Sequence, residues 1–367
     1  MTLFINHDDN GKVENYPDRP NGRMTPRSAL VDGKLQIGGA SGAVEQPPTI
    51  TTVQGDIPTW QYLEAVGFDF EATGGETPYT WTVSAGTLPG TLILDTDGHL
   101  HGTVTEVALA SVTIRCTGSN SEYDEEVFTL ETTTPVLPGS PTFILDVEEQ
   151  TDLTGSNYNS LQDSSGNGFN LALEAAQTKA IKDSGVQLDG IDTIDTNGAY
   201  CWYSTSAGID LAGDIFPNSG VGSMIVVFNA DVYANAFGSN FDFIIGGRDD
   251  NSFISEIITG PAASAKASAI GHIDIDTAIS TDTWYVQTSR WNATSIKSQI
   301  DNGTELEKLG DAHITSTARL SVFAHSGSGS RFDGHIAIII LWPTVLSDGE
   351  IIQAKSYLKY RFPSLSI

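Results

Sequence analysis

The chain is short of basic residues, of sulfur and of long apolar runs. Only 18 lysines and arginines stand against 46 aspartates and glutamates in 367 residues, a formal net charge of -28. A chain this acidic does not hold nucleic acid or an anionic bilayer by bulk electrostatics. Its surplus charge favours solubility, a salty medium included, and also suits loading with divalent cations. The two cysteines, Cys116 and Cys201, fall in different regions and lack metal-ligand spacing, which argues against an intradomain disulfide and leaves both as small buried residues. No apolar run approaches the roughly 18 residues of a membrane helix. Residues 1–9 lack the basic and apolar regions of a secretory signal, so synthesis as a soluble cytoplasmic product is expected. Phosphate-binding loops, dinucleotide fingerprints, His-Glu-x-x-His, nucleophile elbows, heptads and internal repeats are all missing.

What is there divides into three regions and a spacer, within a length that allows two or three domains. Residues 1–48 are polar and broken by Asn10-Gly11, Pro17, Pro20, Asn21-Gly22, Pro26 and Gly38-Gly39, the pattern of an irregular N-terminal arm. Lys12, Arg19, Arg23, Arg27 and Lys34 supply 5 of the 18 basic residues of the chain, which suits docking on a larger acidic assembly. Residues 49–134 carry short alternating segments, Phe68–Ala72, Thr80–Val83, Val112–Cys116 and Val127–Leu130, punctuated by Gly74-Gly75 and Pro78, as in a small β-sandwich. Residues 135–141 contain three prolines and read as a stiff spacer.

Residues 142–367 form the third region. Its last part is the clearest: Asp333-Gly334 is a turn signal, and His335–Trp342 is an apolar, β-branched run too short for a membrane span, hence a buried strand. Pro343 stops the ladder. Ser347, with Glu350 three residues on, makes a capping box ahead of Ile351, Ile352, Ala354, Tyr357 and Leu358 at helical spacing, so a short helix is expected to end before Pro363. Further strands are expected at 223–228, 241–245, 284–288 and 320–323, and Ile296–Ile300 runs into a hairpin turn at Asp301-Asn302-Gly303.

Phe332-Asp333-Gly334, Leu346-Ser347-Asp348, Glu350 and Tyr357-Leu358, in that order, resemble the end of LamG-like concanavalin A-type lectin/glucanase domains. Phe143–Asp146, Gln162–Gly168 and Val186–Gly190 resemble the start of that domain, so the likeness spans about residues 142–363. In the second region, Gly74-Gly75, Pro78-Tyr79, Trp81, Ser84-Ala85-Gly86, Leu88-Pro89, Leu92, Leu94, Gly98, Leu100 and Gly102-Thr103 resemble an immunoglobulin-like domain of bacterial surface proteins and phage virions, in which such residues build turns and core. The resemblances imply an all-β chain: an irregular arm, an Ig-like sandwich, and a concanavalin-like jelly roll with a short C-terminal helix.

The lectin-like family includes binding modules, enzymes and structural units, so function has to come from sites. Laminarinase-type glucanases set Glu-x-Asp-x-Glu on one strand of this fold. Glu122–Glu126 has that spacing but lies in the Ig-like region, with Glu125 where an apolar residue would stand, and reads as a solvated acidic turn. His272–Asp276 has no glutamate at either end. A protein without enzymatic activity is the expectation. Sugar stacking is assigned to Tyr200, Trp202 and Tyr203 on one strand and to Trp291 with Asn292 at a hairpin end, with Arg248, Asp249 and His325 as polar loop partners. No cofactor is required; Asp163, Asn167 and Asp189 are oxygen donors of the kind that bind calcium in loops of some relatives.

Surface-type modules on a chain without an export signal point to a bacteriophage structural protein, displayed on the virion and assembled as a homo-oligomer. Capsid or tail decoration, with the arm bound to other virion proteins and the sandwiches adhering to host-surface glycans, is the leading expectation. A tail receptor-binding protein and a bacterial surface glycan-binding protein or glycan hydrolase are the alternatives.

Overall fold

The computed structural model describes residues 28–31, 34–37, 46–174, 177–196, 203–207, 209–218, 220–231, 241–247, 253–259, 265–269, 273–309, 319–323 and 332–367. For 28–31, 34–37, 241–243, 247, 253–259, 265–269 and 273–278 the description is of backbone only. The protein is all-β, closed by an α-helix at Asp348–Arg361.

Among its described residues the expected irregular arm is regular at one place: Ser28–Val31 pairs antiparallel with Lys34–Ile37, with Lys34 opposite Val31. Lys12, Arg19, Arg23 and Arg27 lie outside the described residues.

In the Ig-like unit, Trp60–Gln61, Tyr123–Thr133, Ala108–Thr117 and Thr80–Ala85 form one sheet in that order, and Ala65–Asp69, His99–Thr103 and Ile93–Leu94 form another. Strict alternation buries Val112, Ile114 and Cys116 on one strand and Phe128, Leu130 and Thr132 on its neighbour, against Trp81 and Leu100. The acidic run is strand rather than turn. Tyr123–Thr132 pairs with Ala108–Thr117 because Phe128 and Leu130 commit the strand to the core and carry Tyr123–Glu126 along the same ladder, with Glu122 just ahead of it.

The C-terminal unit is a two-sheet antiparallel sandwich. The larger sheet runs Leu153–Thr154, Asn157–Tyr158, Ile181–Leu188, Ile191–Asp195, Gly334–Trp342, Gly222–Ala230, Trp284–Trp291, Ser295–Ile300 and Leu306–Leu309, and Phe143–Asp146 also pairs with Gly334–Trp342. The second sheet centres on Tyr203–Thr205, Leu320–Val322 and Phe241–Gly247.

All nine residues of Gly334–Trp342 are buried because both faces of this central strand are covered. Ile336, Ile339 and Leu341 enter the core between the sheets. Ala337, Ile338, Ile340 and Trp342 face outward, beneath Ile351, Ala354 and Leu358 of the helix. The register with Gly222–Ala230 shifts between Val227 and Phe228, a bulge that turns the consecutive residues Ala337 and Ile338 to the same side. The turn before this strand needs glycine, since a Cβ on Gly334 would sit 2.2 Å from the Asn229 carbonyl oxygen.

The proline-rich spacer is packed against the sandwich instead of standing free. Leu137 joins the apolar cluster under the helix, Gln353 Nε2 donates to the Val136 carbonyl at 3.1 Å, and the Tyr62 and Tyr360 rings meet edge-on at 5.2 Å between the two units.

Candidate functional site

A polar cleft of about 540 Å³ opens between the last turns of the helix, the strand Phe143–Asp146 and the loop 162–170. Its residues arrive there for local reasons. Asp163 is the organiser of the loop: its Oδ1 accepts from the backbone N–H groups of Ile144 and Ser165, and its Oδ2 from the Ser165 hydroxyl and the Phe169 N–H. The Asp163 N–H in turn donates to Asn170 Oδ1 at 2.9 Å, which orients that amide into the cleft wall. Gln162 is clamped by Gln150, whose Oε1 accepts from the Gln162 N–H at 2.6 Å.

Helical spacing of four sets Tyr357 and Arg361 on one face. Arg361 donates from both terminal nitrogens to Asp146, at 2.6 Å for the Nη2–Oδ1 contact, and also to Glu148 and, at 3.1 Å, to the Tyr357 hydroxyl. Burial pushes the Asp146 carboxyl above its ordinary range, against the opposing pull of Arg361. Burial likewise disfavours the Arg361 charge, but Asp146 and Tyr357 outweigh it and keep the guanidinium charged. Arg361 Nε is buried with no hydrogen-bond partner. The Tyr357 hydroxyl accepts from Arg361 and keeps its own proton for a ligand, and Glu149 is exposed at the rim. Such a group of one aromatic ring, a carboxamide, a carboxylate and a fixed cation can hydrogen-bond a polyhydroxylated ligand from several sides.

The residues expected to bind sugar are placed elsewhere. Tyr203 is fully buried; its hydroxyl donates to the Tyr158 carbonyl at 2.8 Å and accepts from the Ala180 N–H, so it is core and not a stacking surface. Trp291 is buried too, edge-on to Phe216, with its Nε1 donating to the Gly220 carbonyl at 2.9 Å. Asn292 folds its own hairpin end, its Oδ1 accepting from the Thr294 and Ser295 N–H groups. Tyr200, Trp202, Arg248, Asp249 and His325 lie outside the described residues.

The calcium trio is not gathered into one site. Asp163 spends both oxygens on the loop, Asn167 donates to the Thr142 carbonyl, and Asp189 accepts from Ser364 in the C-terminal tail. The acidic run of the Ig-like unit forms no cleft: Asp124 accepts from the Ile50 N–H at 2.9 Å, Glu125 pairs with Arg115 at 2.8 Å, and Glu122 and Glu126 are exposed. Sequence reading missed Tyr357 and Arg361 as site residues. The signal was available as an i, i+4 pair at the helix end, but its partner Asp146 lies 215 residues away.

Residues 42–133 match the family model described as "Putative Ig domain". No curated protein matches the sequence. Among solved structures, the chain is similar to domain 4 of a GH43 extracellular arabinanase from Geobacillus stearothermophilus in complex with arabinotriose, at 12% identity and a TM-score of 0.43, over 59% of this chain and 98% of that one. It is also similar to a mutant Trypanosoma rangeli sialidase displaying trans-sialidase activity, at 10% identity and 0.41, over 73% of this chain and 48% of that one. A third is an arabinofuranosidase complexed with arabinofuranosyl-alpha-1,2-xylobiose, at 10% identity and 0.38, over 55% of this chain and 50% of that one. The chain spans about half the length of the last two. The expectation of a protein without enzymatic activity does not stand beside these findings, since the similar structures named are of glycoside hydrolases or a domain of one; at these identities and TM-scores they assign no activity to this chain.

Proposed function

We propose that this protein is a glycan-binding protein displayed on a bacteriophage particle, with the sugar held in the cleft beside the C-terminal helix. The observation that carries the binding role is the convergence of Tyr357, Arg361, Asn170 and Glu149 on one polar cleft. The cleft wall sets Asp146, Glu149 and Asp163 against the guanidinium of Arg361, which Glu148 also pairs, so its field is acidic and its directional hydrogen bonds suit a neutral saccharide over an anionic one.

The assignment of the sandwich to the LamG-like concanavalin type belongs to the same proposal. Its support is the order of the Phe332-Asp333-Gly334 turn, the buried last strand and the capped helix. The virion setting is supported by the Ig-like match and by the concentration of basic residues in 1–48 of an otherwise acidic chain. In that setting the arm meets other virion proteins and several copies per particle add avidity for host-surface glycans.

The test of binding uses the full-length protein on a panel of bacterial surface polysaccharides, with release of reducing ends measured in the same samples. Binding lost in both Tyr357→Ala and Glu149→Ala, with melting temperature retained in the latter, supports the cleft. The virion setting is tested separately by deleting residues 1–45 and measuring incorporation into particles; normal incorporation of the truncated chain contradicts a docking arm.

A further inference from the structure

The larger sheet of the C-terminal sandwich carries a second group of polar residues, on its outer face at the end not covered by the helix. His335 opens the central strand Gly334–Trp342 and sits directly opposite Asp195 on one neighbour and Asn229 on the other. Thr193 lies two residues before Asp195 and directly opposite Asp183 on the next strand. Directly opposed residues of an antiparallel pair share a face, as do residues two apart along a strand, so all five side chains project from one side. That side is the outer one, because Ile194, Phe228 and Ile336, the intervening residues, enter the core between the sheets.

We propose that Asp183, Asp195 and His335 bind a divalent first-row transition cation. One ligand atom from each of the three lies within 4.8 Å of the others, and His335 Nδ1 is 3.8 Å from Asp183 Oδ2. The Asp183 oxygens each accept one backbone N–H, from Gly185 and Val186, and keep a lone pair for a cation, whereas Asp163 takes four hydrogen bonds. Bonds of about 2.0–2.2 Å to nitrogen and oxygen close that spacing with small side-chain adjustments. The other face of the imidazole is already held as a ligand histidine requires. His335 is 3% exposed, and its Nε2 lies 3.2 Å from Asp231 Oδ2, a carboxylate placed to accept from the Nε2–H, which leaves the Nδ1 lone pair toward Asp183. Thr193 Oγ1, 3.2 Å from Nδ1, donates its own proton to the Val186 carbonyl at 2.7 Å and so does not compete for that lone pair as a donor.

An independent observation points to a ligand here. Asn229 is 3% exposed, yet its Oδ1 is buried without a hydrogen-bond partner. Its position across from His335 directs it into the same patch, where a cation or a cation-bound water would satisfy it. Asp183, Asp195 and Asp231 crowd a single imidazole, an excess of negative charge that a divalent ion balances. An imidazole nitrogen beside carboxylate oxygens selects zinc or manganese over calcium, which prefers all-oxygen shells. The site shares no residue with the loop aspartates from which calcium binding was expected.

The test is equilibrium dialysis and thermal unfolding of the chelator-treated full-length protein with ZnCl2, MnCl2 or CaCl2. One equivalent of zinc or manganese bound at micromolar concentration, with a raised melting temperature, is the expected result. Asp183→Asn and Asp195→Asn should each lose that equivalent, and Asp231→Asn should weaken it about 10- to 100-fold while leaving all three ligands in place. Should Asp195→Asn fail to fold, Asp183→Asn decides, since that side chain is partly exposed. No uptake by the wild type, uptake of calcium alone, or equal affinity in the wild type and Asp183→Asn would each overturn the proposal; the last would mean that metal binds to histidines elsewhere.

Discussion

The indole Nε1 of Trp342, the last residue of the central strand, donates a hydrogen bond to the carbonyl of Pro138 at 2.8 Å, 204 residues earlier in the chain. This bond fastens the proline-rich segment to the outer face of the larger sheet, where Trp342 is fully buried beneath the helix. The spacer is thereby part of the C-terminal unit's packing.

Replacing Trp342 with Phe keeps most of the apolar contact but leaves the Pro138 carbonyl unpaired, a cost of about 1–3 kcal/mol. Denaturant unfolding of Trp342→Phe should show that loss, and limited proteolysis should cut within 135–141 sooner than in the wild type. Unchanged proteolysis would mean that Leu137 and the Gln353–Val136 bond hold the segment alone.

In the Ig-like unit Gly98 has φ +97° and lies against Trp81, so that a Cβ would come within 2.8 Å of the indole Nε1. Gly98→Ala therefore meets both backbone strain and a clash with a buried ring, and should destabilise the protein by about 1–3 kcal/mol. Tryptophan fluorescence followed through chemical unfolding measures it.

Cys116 is fully buried, and burial, with Asp124 adding to it, pushes its thiol up to about 11. In a Cys201→Ser background the remaining thiol should react with a thiol reagent at pH 8 only as fast as the protein unfolds. Prompt labelling without denaturant would contradict the burial.

The Ser347 N–H and then its hydroxyl donate to Glu350, holding the Glu350 carboxyl below its ordinary 4.5. A depressed folded value contributes stability that is fully present above 4.5 and is lost as pH falls through the lower, folded value. Below pH 4.5 the wild type should therefore lose melting temperature more steeply than Glu350→Gln. Ser347→Ala, which removes the cap, should cost about 1 kcal/mol at neutral pH.

Local chemistry made some of this legible from sequence. Pro343, the Ser347–Glu350 box and the β-branched run before them mark a strand stop and a helix start within a few residues, and the helix runs Asp348–Arg361 as the capping signal requires. Asp301-Asn302-Gly303 turns the chain between Ser295–Ile300 and Leu306–Leu309, with Asp301 at φ +51°. The sites were not legible in the same way. Trp291 looks like a sugar platform in a one-dimensional reading because nothing local reports that Phe216, 75 residues earlier, packs on its ring. Asp183, Asp195 and His335 meet only through the register of three strands, two of them joined across most of the domain. The paired strands at 28–31 and 34–37 were hidden by the glycines and prolines around them, which sequence rules count as breakers.

Glycan binding in the cleft beside the helix turns on the Tyr357 hydroxyl. The most direct measurement is the affinity of the full-length protein for a polysaccharide found in the panel, compared with that of Tyr357→Phe, which keeps the ring and removes the hydroxyl. Binding should weaken about tenfold through loss of that hydrogen bond, with the melting temperature nearly unchanged. Undiminished affinity in both Tyr357→Phe and Tyr357→Ala would place the sugar elsewhere and contradict binding in the cleft.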